Sequence, residues 1–342
     1  MSLNYADALK PYDNKGVLGI PERFDAPEEI EEKAKQLAEW IRAAKCCVLH
    51  TGAGISTTAG IADFRGPNGV WTLEAKKQKA ESVNFEEAIP TFTHFAINAL
   101  EKAGFVKFVV SQNVDGLHIR SGFPVDRLAE VHGNIFAEKC NRCFKRFYRN
   151  HVVGTVGFKL TGKPCEAGRT GRSCRGQLTD FALDWDDELP EPDFKLSQQY
   201  AGAADLSISL GTTLQIKPAG NLPLLAKKNR GHFVSINLQD TAHEKKADLS
   251  IRGKCDEVMT HVMNHLGITV NDPRCIITTP TLNSVHPVDK SLLTPKKRKR
   301  TSKQVESGRE TTEDGVDKSG GGGGNGNTGN GEEKSGESDS KK

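Results

Sequence analysis

The sequence has no apolar run long enough to span a bilayer. Its start, Met1-Ser-Leu-Asn-Tyr-Ala-Asp7, has neither the basic nor the apolar segment of a secretory signal. These absences set the expectation of no membrane partner and of a reducing compartment. Cysteine is sparse. Eight in 342 residues is not the density of a small secreted disulfide framework, so thiols are expected free or on a metal. Strong charge of one sign is missing too. A formal net charge of +3 does not by itself argue for nucleic acid, and its distribution matters more. Apolar residues make up only 36%, partly because of a polar tail, yet the length allows one or two domains with a sizeable core.

What is present centres on one stretch, His50-Thr-Gly-Ala-Gly-Ile-Ser-Thr-Thr-Ala-Gly-Ile-Ala-Asp-Phe-Arg-Gly-Pro-Asn-Gly-Val-Trp71. It follows the apolar run Cys46–Leu49, which reads as a buried strand. A strand, a glycine turn and a helix start form a phosphate cradle: small residues let backbone N–H groups approach, and the helix N-terminus adds partial positive charge. The dehydrogenase fingerprint needs a third glycine where Thr57 stands. A dinucleotide would therefore be held in another manner, and a plain tight turn remains the bland alternative. Asp63, Phe64, Arg65 and Trp71 shift the reading toward a ligand, because an exposed loop has little structural use for Phe beside Arg.

Residues 1–26, with scattered Pro and Gly, predict an extended arm that Tyr5, Tyr12 and Phe24 pin down. The spacing of Ile30, Ala34, Leu37, Ala38 and Ile41 predicts an amphipathic helix over 28–44. A second helix is expected over 85–103, interrupted or kinked at Pro90, and a last one over 255–266. Strands are expected at 106–110, 128–131, 206–210, 233–238 and 248–251. Strands alternating with helices predict an α/β fold, a Rossmann-like doubly wound parallel sheet, over 27–136 and 185–268. Polar sequences follow the strands at Thr51–Gly54, Gln112–Asp115, His132–Asn134, Gly211–Thr213 and Asn237–Gln239. In such a sheet these meet at the edge where ligands bind.

Between 137 and 184 the periodicity breaks. Cys140-x-x-Cys143, then Cys165 and Cys174, predict a small inserted zinc-binding module with one structural ion in a closed tetrahedral site. The segment has too few apolar residues to bury four free thiols, and His151 reads as a surface residue. Cys46, Cys47, Cys255 and Cys275 carry no evident role in spacing. His132 stands at a strand end, where a near-neutral imidazole can act as general base. Beyond 269 the chain cannot bury enough apolar surface and is expected to be a disordered C-terminal tail, basic and then Gly- and acid-rich. Its block Pro295-Lys-Lys-Arg-Lys-Arg300 reads as a nuclear import signal, with nonspecific DNA contact as a secondary effect.

These motifs together resemble the sirtuins, NAD-dependent protein deacylases. The resemblance is carried in order by Gly52–Ser56, Gly60–Arg65, Gln112–Asp115, His132-Gly133, the four cysteines, Gly211–Thr213 and Asn237–Gln239, over residues 1–268. Within the family the chain is most similar to a nuclear, chromatin-acting subgroup. Two positions depart from the family pattern: Ala62 stands where Pro is usual, and Thr213 where Ser is usual.

The resemblance implies NAD as co-substrate. Ala53, Thr57, Phe64 and Arg65 would contact it, with Asp63 and Trp71 controlling the nicotinamide end. Asn113 and Asp115 would hold ribose and carboxamide and are counted with His132 as catalytic, while Gln112 and His132 are counted among the cofactor-binding residues. Gly211, Thr213, Asn237, Gln239 and the backbone at Cys255 would hold the adenosine half. It further implies that the acyl-lysine oxygen attacks the anomeric carbon as nicotinamide leaves, that His132 deprotonates a ribose hydroxyl, and that O-acyl-ADP-ribose is released. Acylated histone tails and nucleosomes are the implied partners, through Arg169, Arg172 and Arg175 on an acidic surface. Mono-ADP-ribosylation by the same site, a dehydrogenase and a non-catalytic chromatin-binding module are the alternatives.

Overall fold

Five apolar side chains on one stripe explain the first long helix, and the structure, a computed structural model, shows where the stripe goes. Residues 2–169, 172–270 and 285–286 are described. Helix α1 is Ser2–Ala8 and α2 is Pro27–Ala43. Pro27 opens α2, where its missing N–H costs nothing, and Glu28 and Glu29 face the positive end of the helix dipole. Ile30, Ala34, Leu37, Ala38 and Ile41 are all buried, and each large one contributes about 1.5–3 kcal/mol.

Strands β1 (Cys47–Thr51), β2 (Val106–Ser111), β3 (Leu128–Glu130), β10 (Leu206–Leu210), β11 (His232–Ile236) and β12 (Leu249–Ile251) form one sheet. Its order is β3-β2-β1-β10-β11-β12, parallel throughout. The chain winds outward from β1 to β3, then returns to the centre and winds out the other way. The switch point lies between β1 and β10. Alternate strand residues serve opposite faces. Cys47 and Leu49 pack with Leu37, Ile41, Val258 and Val262, from α2 and α8 (Cys255–Leu266). Val48 and Val110 pack with Ala201 and Ala226, from α6 (Asp193–Ala203) and α7 (Leu225–Lys228).

A second, antiparallel sheet has the order β13-β5-β4-β9-β6. It comprises β4 (Gly133–Cys140), β5 (Arg146–Tyr148), β6 (Leu160–Pro164), β9 (Gln177–Ala182) and β13 (Val285–His286). A two-stranded ribbon of β7 (Gly168–Arg169) and β8 (Arg172–Ser173) is carried on this module. Pairing in this second sheet begins at Gly133 rather than at 137, because the chain leaves the first sheet after β3 and enters β4 directly after His132.

Three expectations change. The 1–26 arm begins with α1 before it extends. Tyr5 donates to Leu183 O (2.9 Å) and Tyr12 stacks on Trp185 (4.7 Å), but Phe24 is 62% exposed and pins nothing. The second helix, α4 (Phe92–Lys102), starts after Pro90 instead of kinking at it. A residue before proline avoids the helical region, and Thr91 provides the cap, with the His94 ring accepting from its N–H. Short helices α3 (Val70–Ala75) and α5 (Leu117–Arg120) complete the α-helices among the described residues. The tail beyond 270, with its basic block and Cys275, lies outside the described residues. Its exception is β13, whose two residues pair with Arg146 and Phe147.

Candidate active site and metal centre

The C-terminal ends of β1 and β10 carry Gly52-Ala-Gly54 and Gly211-Thr-Thr213, and the two segments cross at close range. A Cβ on Gly54 would lie 2.6 Å from Gly211 Cα, and Gly211 itself has φ +61°. The Gly52 and Gly54 N–H groups donate to Leu210 O (3.0 Å) and Gly211 O (2.8 Å). These glycines therefore let two loops touch at the switch point, and their N–H groups face β10 rather than a phosphate. No α-helix starts here. Two single 3₁₀ turns, Ala53–Ile55 and Thr57–Ala59, follow, and Gly60 at φ +81° ends them.

Beside this crossing is a cavity of about 530 Å³. Ala53, Asp63, Phe64, Arg65, Trp71, Gln112, Asn113, His132, Gly211, Thr213, Asn237 and Gln239 all line it. Thr57 and Cys255 instead line a smaller adjoining pocket that shares Gly54, Asp63, Asn237 and Gln239. Burial pushes the Cys255 thiol up to about 12, so it stays protonated near neutrality. Asp115 lines neither pocket. It is buried and accepts from Ser56 Oγ (2.7 Å) and Leu117 N (2.9 Å). Its contact with the site runs through Ser56 to Asn113, whose Nδ2 lies 3.3 Å from Ser56 Oγ and donates to Gly52 O (3.1 Å).

His132 follows β3 directly. Its Nδ1–H donates to Gln112 O (3.1 Å), which makes Nε2 the nitrogen with the free lone pair. Nε2 is shielded from solvent and has no hydrogen-bond partner among the described residues. Burial, opposed by the Gln112 bond and aided by the Arg65 charge, lowers the imidazole to about 4. At neutral pH it is a neutral, unpartnered acceptor on a cavity wall.

Arg65 spans the same wall. Its Nε donates to Lys15 O (2.8 Å), and its guanidinium lies 4.6 Å from the Trp71 ring centre. Burial lowers it to about 10, partly offset by Asp63. Asp63 is held by Gly66 N–H (3.0 Å), and burial raises its carboxyl above the usual range despite that bond. Phe64 packs on Trp71 at 4.6 Å, and Trp71 on Trp185 at 5.0 Å. Trp185, Tyr5, Leu9, Leu183, Ile216 and Phe194 add an apolar wall that the spacing of strand-end motifs did not reveal. The aromatics of the arm and the Asp184-Trp-Asp-Asp187 sequence after β9 are the only local signals for it.

The Sγ atoms of Cys140, Cys143, Cys165 and Cys174 all lie within 4.8 Å of one another. A four-thiolate set at this separation fits a tetrahedral zinc ion, and Arg142 and Cys143 N–H groups already point at Cys140 Sγ (3.3 and 3.4 Å). The site is closed by its own four ligands and stands apart from the cavity residues, so its role is structural. His151 is exposed and outside the group. Arg169 and Arg172 fall where side chains are not described, while Arg175 is exposed with φ +44°. No helix among the described residues is long and apolar enough to cross a membrane.

Residues 77–218 match the model of the Sir2 family. The chain is similar to the NAD-dependent protein deacetylase Sirt6 of Drosophila melanogaster, with 52% identity over 274 residues, 79% of this chain and 86% of the relative. It is also similar to the NAD-dependent protein deacetylase sir-2.4 of Caenorhabditis elegans, 41% identical over 79% of this chain and 94% of the relative. Among solved structures, it resembles a Sir2–p53 peptide–NAD+ complex with a TM-score of 0.53 and 27% identity, over 68% of this chain and 98% of that one.

Proposed function

The chain belongs to the Sir2 family of NAD-dependent protein deacetylases, and on that premise we propose that it removes acyl groups from histone lysines in the nucleus. One observation carries the chemistry: a neutral His132 that lines the cavity at the switch point of the sheet and whose Nε2 has no hydrogen-bond partner among the described residues. The cavity's position and volume fit NAD, which supplies an anomeric carbon made reactive by departure of nicotinamide.

The chain's residues do the rest. Arg65 brings the positive charge on the wall toward phosphate or ribose. Phe64 and Trp71 keep water from the nicotinamide end. Asn113, already fixed by Gly52 O and Ser56, orients the ribose side. Nε2 of His132 accepts a ribose hydroxyl proton, and Nδ1 stays bound to Gln112 O so that the ring does not turn. Such a positioned base contributes about 10²–10⁴-fold. The zinc of the four cysteines takes no part in this transfer.

The apolar wall of Leu9, Leu183, Ile216, Phe194 and Trp185 supports acyl chains longer than acetyl. Arg175, with Arg169 and Arg172, is proposed to meet the acidic surface of the nucleosome. A protein nucleophile in place of the acyl oxygen would make the same site a mono-ADP-ribosyltransferase.

Incubation with NAD and acetylated or fatty-acylated histone peptides, followed by mass spectrometry, tests the reading. O-acyl-ADP-ribose is the expected product for both. Its absence with every histone peptide, while a non-histone acyl peptide is turned over, would refute the histone assignment.

A further inference from the structure

The loop that carries His132 is short and its surroundings are charged. Between the end of β3 at Glu130 and the start of β4 at Gly133 stand only Val131 and His132. The corner is closed on one side by β9: Leu183 N–H donates to His132 O (3.2 Å), and a Cβ on Gly133 would lie 2.1 Å from Phe181 O. On its other side are two residues that flank His132 symmetrically and bond to each other. Asn134 Nδ2 donates to Glu130 Oε1 at 2.6 Å.

That pair is one end of a buried network. Tyr148 Oη donates to Glu130 Oε2 (3.0 Å), and Arg146 Nη1 lies 3.3 Å from the same oxygen. Arg146 also pairs through both terminal nitrogens with Asp193, whose Oδ1 accepts the Glu130 N–H (3.0 Å). The guanidinium lies 3.8 Å from the Phe181 ring centre. Glu130, Asn134, Arg146, Tyr148 and Asp193 are all buried.

Three separate pieces of the fold meet in it: β3 of the parallel sheet, β5 of the zinc-bearing module, and the first turn of α6. Well-packed apolar side chains in place of a buried ionic network are often neutral or stabilising, so stability alone is weak ground for keeping one here. The network instead fixes directions, because a planar fork between two carboxylates has one geometry.

We propose that Glu130, Arg146 and Asp193 are positioning residues that hold the His132 corner, so that the ring keeps its place on the cavity wall with Nδ1 on Gln112 O and Nε2 unpartnered. Through Arg146, the zinc-bearing module sets the place of the base in the parallel-sheet domain. The proposal rests on the deacylase reading above and adds residues that do not line the cavity. It makes a distinct demand: loosening the network must slow turnover without weakening NAD binding, since the wall of Arg65, Gly211 and Asn237 is untouched.

The test uses the full zinc-loaded chain. Arg146→Met and Tyr148→Phe are compared with wild type for kcat and for KM with NAD, alongside the NMR signal of the His132 ring. Expected are a kcat loss of about tenfold or more for Arg146→Met and about threefold for Tyr148→Phe. KM for NAD should stay within about twofold, and the single His132 signal should broaden or split. Tyr148→Phe removes one hydrogen bond and little volume, so it decides the matter if Arg146→Met does not fold. Unchanged kcat and an unchanged ring signal in folded Tyr148→Phe would overturn the proposal. So would a kcat loss matched by an equal rise in KM for NAD. A wild type that makes no acyl-ADP-ribose would sink the deacylase reading instead, and the ring signal alone would then judge the positioning role.

Discussion

Acidification should destabilise this protein through His132, by an amount the structure sets. In the unfolded chain the ring titrates near 6.5; in the fold, burial brings it to about 4. The folded value is the lower one, so below pH 6.5 the unfolded state binds the extra proton. The contribution to stability is complete above pH 6.5, is lost as pH falls from 6.5 to 4, and changes no further below 4. The full loss is about 3.4 kcal/mol, and about 2 kcal/mol of it falls between pH 7 and 5. Other groups titrate in this window. Glu130, raised by burial to about 7, acts with the opposite sign because its folded form gains a proton first. The clean measurement is therefore a difference: urea unfolding of wild type and His132→Gln at pH 7 and pH 5. The wild type should lose about 2 kcal/mol more than the variant over that interval. Equal losses, or an NMR titration midpoint of His132 near 6.5, would refute the assignment of a buried neutral base.

Three other outcomes follow from the same geometry. His132→Tyr should lower deacylation by about 10²–10⁴-fold, measured by acyl-ADP-ribose formation, while the zinc content stays at one per chain. Gly54→Ala places a Cβ 2.6 Å from Gly211 Cα. It should cost about 1–3 kcal/mol in thermal stability and weaken NAD binding by calorimetry; a melting temperature equal to wild type would show that the crossing has slack. Cys165→Ala opens the four-thiolate group, so metal analysis should find the zinc lost and circular dichroism should find the module's strands melted at 37 °C, a cost of several kcal/mol. Retained zinc would remove Cys165 from the ligand set.

Much of the framework was legible locally. The stripe Ile30, Ala34, Leu37, Ala38, Ile41 marks a helix because every 3.6-residue repeat must face the core, and all five do. The runs at 106–110 and 206–210 mark strands by their short apolar character and the turn residues after them, but that both faces are covered shows only in the structure, where Ser207 and Ser209, the polar alternates of the second run, are buried as well. The cysteines are legible because a Cys-x-x-Cys turn in an apolar-poor segment has few uses besides a metal.

Less legible was anything that depends on contact between distant segments. The Gly52–Gly54 turn suggests a phosphate cradle with a helix behind it. Its glycines are instead matched to Gly211, some 157 residues later, where the loops cross and short 3₁₀ turns replace the helix. Asp115 stands next to cavity residues in sequence, yet Ser56 and Leu117 turn it inward.

The sequence by itself determined the first and last long helices, the strands of the parallel sheet with their doubly wound order, and the identity of the four metal-ligating thiols, since periodicity and local turn chemistry act over a few residues. Only the tertiary structure decided which side chains share the cavity, why His132 is neutral with Nε2 left free, and what surrounds its corner. Those properties come from burial and from partners such as Gln112, Arg65, Arg146 and Asp193, which the chain brings together only when the two sheets are packed.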